Sequence, residues 1–243
     1  CYSGEIRQLG GSFNSMMDKI RELLGMVYKE QRDKREAEIR TLQAQINPHF
    51  LYNTLDTIRW MAEEHQAGDI VKLVSALTKL FRVSLSRGRE VISLADEMEH
   101  VRSYLYIQKV RYEDKLNYRI DVPDALLSLR VHKLILQPLV ENAIYHGIKQ
   151  KRGEGHISLT GLRRGKLLIL RVEDDGAGMT AEQCAQLNAA LRASGNREYD
   201  HGYGIFNVND RIRLSYGKEY GLYCRINEYG GITVELICPA ITQ

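Results

Sequence analysis

Apolar residues recur at Ile6, Leu9, Phe13, Met16, Ile20, Leu23 and Val27, an alternating step of three and four that marks the seam of a coiled-coil helix. Between Tyr28 and Glu38 the chain is almost wholly charged or amide-bearing, as suits a solvated helical connector with pairs such as Glu30 and Lys34. A second stripe at Ile39, Leu42 and Ile46 does not continue the phase of the first, which would fall on Glu30, Lys34 and Ala37. Such a break alters supercoil winding locally and would carry a shift between two helical modules. From Ile70 a third stripe, Leu73, Val74, Leu77, Leu80, Phe81 and Leu85, predicts another helix after a short turn at Gln66 to Asp69, so the two form an antiparallel hairpin. Two such hairpins meeting as a four-helix bundle bury apolar surface that one leaves exposed, which predicts a homodimer. Ser93 and Asp96 resemble a capping box that opens a further helix through about Tyr112.

From Leu116 the pattern changes. Alternating or apolar stretches at 116–122, 156–162, 167–172, 220–227 and 233–238 predict strands, and helical patterns fall at 134–148, 181–191 and 205–214. Strands that follow one another as hairpin neighbours give a mixed sheet with helices on one face. The expected organisation is a signalling helix over 1–30, dimerisation helices over 31–113 and an α/β domain over 114–243, with a boundary and hinge near 113–116.

Composition adds mainly exclusions. A formal net charge of +3 spread over 243 residues gives no case for a nucleic-acid partner. Cys1, Cys184, Cys224 and Cys238 lack the paired spacing of a zinc ribbon or a disulfide framework and are expected to be free thiols. No apolar run approaches the ~20 residues needed to span a bilayer. The sequence begins at Cys1 within a helical pattern, as a fragment would.

Four segments carry candidate chemistry. In Gln45-Ile46-Asn47-Pro48-His49-Phe50-Leu51-Tyr52-Asn53, Pro48 is expected to bend or open the helix just before His49, and Asn53 lies one turn on, on the same face. A neutral imidazole with a pKa near ~6.5 is a competent nucleophile, although a lone helical histidine says little. The second segment is Leu136-Gln137-Pro138-Leu139-Val140-Glu141-Asn142-Ala143-Ile144-Tyr145-His146-Gly147. In the third, Val172-Glu173-Asp174-Asp175-Gly176-Ala177-Gly178-Met179, Gly176 and Gly178 supply turn geometry and close backbone approach; alone it reads as a plain turn or a calcium loop. In the fourth, Gly202-Tyr203-Gly204-Ile205-Phe206-Asn207-Val208, glycines enter a helix whose N-terminal N–H groups would face phosphate oxygens.

Together with Gly230-Gly231-Ile232-Thr233-Val234, and in this order, these segments resemble the cytoplasmic part of sensor histidine kinases of the LytS/YesM type. The resemblance runs from His49 to the C-terminus, and the first helix more loosely resembles the exit helix of a HAMP signalling domain. It implies a Bergerat-type α/β-sandwich ATP-binding domain behind a dimeric helical region. His49 is then the phosphorylated residue, with a possible orienting role for Asn53, and Asn142 is the Mg²⁺ ligand. His146 lies near the phosphates, Asp174 accepts from the adenine amino group, and Thr233 stands beside Asp174. Gly176, Gly178, Gly202 and Gly204 line the nucleotide, under a lid formed by the polar stretch from Thr180 to His201. Mg-ATP is the implied cofactor pair, a response regulator with an aspartate acceptor the partner, and upstream transmembrane segments the anchor of this cytoplasmic portion to the cell membrane.

Three places depart from related patterns. Phe50 follows the histidine where many histidine kinases have an acid, which leaves the proton acceptor unassigned. Pro138 stands where gyrase-type ATPases carry a water-activating glutamate, which favours transfer over hydrolysis. Val131 and His132 occupy a region where members often show a Pro-Pro pair. A serine kinase or an ATPase sharing the nucleotide domain, and a non-enzymatic scaffold, are the alternative readings.

Overall fold

The computed structural model describes residues 48–84, 90–193 and 203–242. The coiled-coil seam over 1–30, the connector with its register change, Gln45 to Asn47, and Gly202 lie outside the described residues. The chain divides into two compact units, residues 1–53 and 54–243. Of the first, the described part is Pro48 to Asn53, the opening of helix α1 (Pro48–Glu64). The stretch that would show a bend ahead of Pro48 is not among the described residues.

In the second unit, α1 is followed by α2 (Gly68–Ser84) through a turn where the interrupted stripe placed it. Gln66 adopts a positive φ of 54°, and the Ala67 N–H closes onto the Ala62 carbonyl at 2.8 Å. Helix α1 buries Leu55 and Ala62 yet leaves Trp60 65% and Met61 53% exposed. Strand β1 (Val91–Ser93) then leads into α3 (Leu94–Tyr112). Ser93 caps α3: its Oγ accepts the Asp96 N–H at 3.1 Å and donates to the Asp96 carboxylate at 2.6 Å. The cap therefore closes through the hydroxyl, with Asp96 held by it.

The remaining elements are β2 (Leu116–Asp121), β3 (Arg130–His132), α4 (Gln137–Asn142), β4 (Gly155–Arg164), β5 (Leu167–Asp174), α5 (Ala181–Arg192), α6 (Tyr203–Tyr216), β6 (Gly221–Ile226) and β7 (Ile232–Pro239). The main sheet has the order β2-β4-β5-β7-β6, with β2 parallel to β4 and the other pairs antiparallel. The short β1 and β3 pair with each other apart from it; at three residues each they are too brief for periodicity to reveal.

Strand alternation divides the main sheet into two faces. Ile157, Leu159, Leu168, Leu170, Val172, Val234, Leu236 and Cys238 join one core with Leu139 and Val140 of α4, Cys184 and Leu191 of α5, and Val208 and Ile212 of α6. The opposite face carries a charged ladder, with Arg171 to Glu235 at 2.7 Å and Arg225 to Glu173 at 3.5 Å. Helices thus cover one face, as the sequence pattern predicts. The same core takes in Leu94, Met98, Val101, Tyr104 and Leu105 of α3. It runs without interruption across 113–116, where a hinge was expected, because α3 is buried against the α/β body.

Two asparagines tie the edge strand β6 to the helical layer. Asn188 of α5 donates to the Cys224 carbonyl at 2.7 Å and accepts the Cys224 N–H at 2.9 Å. Asn209 of α6 accepts the Leu222 N–H at 3.0 Å and donates to the Leu191 carbonyl at 2.9 Å. Cys184, Cys224 and Cys238 are buried free thiols, and burial pushes Cys224 and Cys238 up to about 12.

Candidate functional site

Strand β5 ends in a buried carboxylate ringed by glycines. Asp174 is 6% exposed; its Oδ1 accepts the Gly176 N–H at 2.9 Å, and the Ile232 N–H also points to the carboxyl group. A methyl group on Gly147 would meet Asp174 Oδ1 at 2.5 Å, one on Gly231 the Asp174 carbonyl oxygen at 2.0 Å, and one on Gly176 the Gly147 Cα at 2.2 Å. Gly178 has φ +68°, which a side chain strains to adopt, and faces the Gly230 carbonyl oxygen. Burial raises the carboxyl pKa of Asp174 above the ordinary range, and the two N–H donors offset part of that.

The neighbouring Asp175 points elsewhere. It accepts from Lys151 Nζ at 2.8 Å and from the His156 N–H at 2.7 Å, with the His156 Nδ1 at 3.1 Å. Burial pushes this carboxyl up, but the Lys151 ammonium and the His156 hydrogen bonds outweigh it and hold the pKa below the usual value. Two adjacent aspartates thus have separate tasks: Asp175 anchors the turn, and Asp174 lines the recess.

The helix expected over 134–148 is three pieces: α4, a π turn at Ala143–Gly147 and a 3₁₀ turn at Ile148–Gln150. The widened turn brings Gly147 against Asp174, an approach only glycine permits. Asn142, at the end of α4, is half-buried, and its side chain makes no hydrogen bond with any described residue, so its amide oxygen is open to a ligand. An oxygen donor of this kind suits Mg²⁺. His146 lies exposed on the π turn. Gly204 opens α6 beside α4, where an added methyl would meet Pro138 at 3.2 Å.

Two expectations need correction. Thr233 does not stand beside Asp174: it pairs with Glu173 across the sheet, its side chain is on the ladder face, and its hydroxyl donates to Glu173 at 3.0 Å. Alternation gives the position on the Asp174 face to Ile232. Of the expected lid, residues 181–192 form α5, fastened to β6 through Asn188 and buried Cys184 and Leu191, so that part is fixed framework. The sequence reading also passed over Asn227, whose Nδ2 donates to the Asp174 carbonyl at 2.8 Å and whose Oδ1 accepts the Gly231 N–H at 3.0 Å. Gly147 and Gly231 stood within the quoted segments, but a glycine's neighbour across the fold leaves no local signal.

In the first unit, His49 is exposed on α1, with its Nδ1 3.3 Å from Asn53 Nδ2. The helical spacing thus brings these two side chains together, as expected. Donation from the amide makes Nδ1 an acceptor and puts the proton of a neutral ring on Nε2. A half turn of the amide reverses both, with Nδ1–H donating to Oδ1 and the ring lone pair on Nε2.

Comparison with known proteins gives two family matches: "Histidine kinase" over residues 37–116, and "Histidine kinase-, DNA gyrase B-, and HSP90-like ATPase" over residues 129–241. The sensor histidine kinase YesM of Bacillus subtilis (strain 168) is 34% identical over 235 residues, 97% of this chain and 39% of that protein. The sensor histidine kinase BtsS of Escherichia coli (strain K12) is 35% identical over 218 residues, 88% of this chain and 36% of that protein. YwpD of Bacillus subtilis (strain 168) is 32% identical over 223 residues, 89% of this chain and 76% of that protein. The chain therefore spans under two-fifths of the length of YesM and BtsS.

Proposed function

This chain belongs to the sensor histidine kinase family, and from that premise we propose that it transfers the γ-phosphoryl group of Mg-ATP to its own His49 and then to an aspartate of a response regulator. The observation that carries the reading is the recess at Asp174, a buried carboxylate hemmed in by Gly147, Gly176 and Gly231. A buried carboxylate that glycines approach this closely suits the exocyclic amine of a purine, with Asp174 as acceptor. Gly176 and Gly178 let backbone lie against the base, and Gly204 at the start of α6 faces the phosphates, with Gly202 assigned to them by the family resemblance alone. Asn142 supplies an oxygen to Mg²⁺, and His146 reaches toward the phosphate end. The ion, when bound, neutralises the phosphate oxygens.

At the acceptor, the Nε2 lone pair of His49 attacks the γ-phosphorus. The new N–P bond forms as the bond to the ADP oxygen breaks, and ADP leaves with that electron pair. Asn53 Oδ1, accepting from Nδ1–H, holds the neutral ring in the reactive tautomer and steadies the charge that develops on it. The ring nitrogen then releases its proton to solvent, so the step needs no acidic side chain at Phe50. The bare apolar surface of α1, including Trp60 and Met61, supports a homodimer joined through the helical hairpins. Among the described residues no helix is long and apolar enough to cross a membrane. Attachment of this cytoplasmic portion to a membrane through upstream segments follows from the family reading alone.

The test is incubation of the chain with γ-labelled ATP. Label on the protein that is labile to acid and stable to alkali is the expected result; acid-stable label would replace this reading with that of a serine kinase. Asp174→Asn is expected to weaken ATP binding by about 10- to 100-fold, since it turns an acceptor into a group that also donates toward the purine amine. Isothermal titration measures it, and unchanged affinity would remove the adenine assignment.

A further inference from the structure

The helix that carries Asn142 is launched from a turn gripped by a carboxylate of another helix. Glu97 of α3 is fully buried at 0% exposure. Its Oε2 accepts the Leu134 N–H at 2.8 Å, and its Oε1 accepts the N–H groups of Ile135 and Leu136, each at 2.9 Å. Leu134 is held at φ 58°, and α4 has no capping side chain of its own. From the other side Arg211 of α6 donates to the Lys133 carbonyl at 2.6 Å.

A second connection runs along α4. His100 Nε2–H donates to Gln137 Oε1 at 2.6 Å, and Gln137 Nε2 donates to Glu141 Oε1 at 2.8 Å. The Tyr104 hydroxyl also bonds Glu141, the residue before Asn142. His100, like Glu97, is fully buried.

Stability alone does not call for this arrangement. Helices α3 and α5 are capped by Ser93 and Thr180, short residues adjacent in sequence and inexpensive to desolvate. Burying a carboxylate is costly, and Glu97 reaches across 37 to 39 residues of sequence to do it. What a remote cap adds is position. It fixes where α4 starts relative to α3, and α4 is only 6 residues long, so its start determines where Asn142 ends up.

We propose that Glu97 is a positioning residue for Asn142, acting through the Leu134–Leu136 turn, with His100–Gln137–Glu141 as the second tether. The inference rests on the assignment of Asn142 to Mg²⁺ made above. Glu97 then governs the magnesium-dependent part of nucleotide binding and leaves base recognition at Asp174 alone.

ATP affinity of the full chain, measured with Mg²⁺ and in EDTA, tests this on Glu97→Gln, Gln137→Met and Asn142→Ala. Glu97→Gln sets an amide N–H against the Leu134 N–H, and Gln137→Met cuts the tether while leaving the cap in place. Each of these two is expected to weaken binding about tenfold in Mg²⁺, with less than about a twofold change in EDTA, the loss usual for residues that orient a metal ligand. Equal losses in both conditions, or none, would overturn the proposal; if Glu97→Gln does not fold, Gln137→Met decides by the same ratio. Asn142→Ala that leaves the magnesium-dependent affinity intact overturns the Asn142 assignment and this inference with it. Asn142→Ala that abolishes it, beside unaffected Glu97 and Gln137 variants, defeats this inference alone.

Discussion

His49→Gln should bring acid-labile phosphoryl label on the chain down to background, a fall of about 10³-fold or more as for other lost nucleophiles. His49 is exposed on α1, where substitutions typically move stability by no more than about 0.5 kcal/mol. Glutamine is a good helix former and keeps a polar group opposite Asn53. It has no nitrogen lone pair able to attack phosphorus. ATP affinity should therefore match the wild type while transfer ceases, which separates loss of the acceptor from loss of the nucleotide site. Label persisting in the variant would place the acceptor elsewhere in the chain.

The largest effect on the nucleotide side is expected from Gly176→Ala. The new methyl would lie 2.2 Å from the Gly147 Cα and 2.3 Å from its carbonyl carbon, where carbon atoms prefer about 3.5–4.0 Å. The obstacle is backbone, so no rotamer relieves it, and the π turn must move away from Asp174. An overpacked site of this kind costs about 1–3 kcal/mol in stability. Displacement of both walls of the recess should lower ATP affinity by about 100-fold, near 2.7 kcal/mol. Gly165→Ala is the control: Gly165 has a positive φ, of 62°, which Gly176 lacks, and nothing lies within 4 Å of the added methyl. It should cost about 1–2 kcal/mol and leave ATP binding unchanged. Equal losses of affinity in both variants would mean that the Gly147–Gly176 contact is not what shapes the site. Urea unfolding and calorimetry provide the two readouts.

The five strands of the main sheet and the helices behind it were legible because their periods run for six residues or more, as in β5 with Leu168, Leu170 and Val172 on one face. The same alternation could have corrected Thr233, since one residue along a strand reverses the side chain's direction. The family resemblance put it beside Asp174 and so concealed that it belongs to the ladder face. Helix α3 was expected among the dimerisation helices over 31–113; only the fold shows that Leu94, Val101 and Leu105 complete the α/β core. The glycine recess was half legible. Gly176 and Gly178 announce a turn, but the fact that Gly147 and Gly231 meet at Asp174 depends on strand pairing and on a π turn that no local pattern predicts. Glu97 was invisible for a related reason: a charged residue on a helix reads as solvated until its partners, 37 residues away, are known.

The asparagine ties on β6 bear on how two such chains coexist. An outer strand with free N–H and C=O groups is a template for a neighbouring sheet, and two copies joined in a dimer would present those edges to each other at high effective concentration. On β6 the Leu222 N–H and both backbone groups of Cys224 are already taken by Asn209 and Asn188. At the opposite border β2 offers Asn117, Arg119 and Asp121, polar residues that discourage a flat apolar match. Asn188 and Asn209 therefore bear on solubility as well as shape, by denying the sheet a sixth strand from any second copy of the chain.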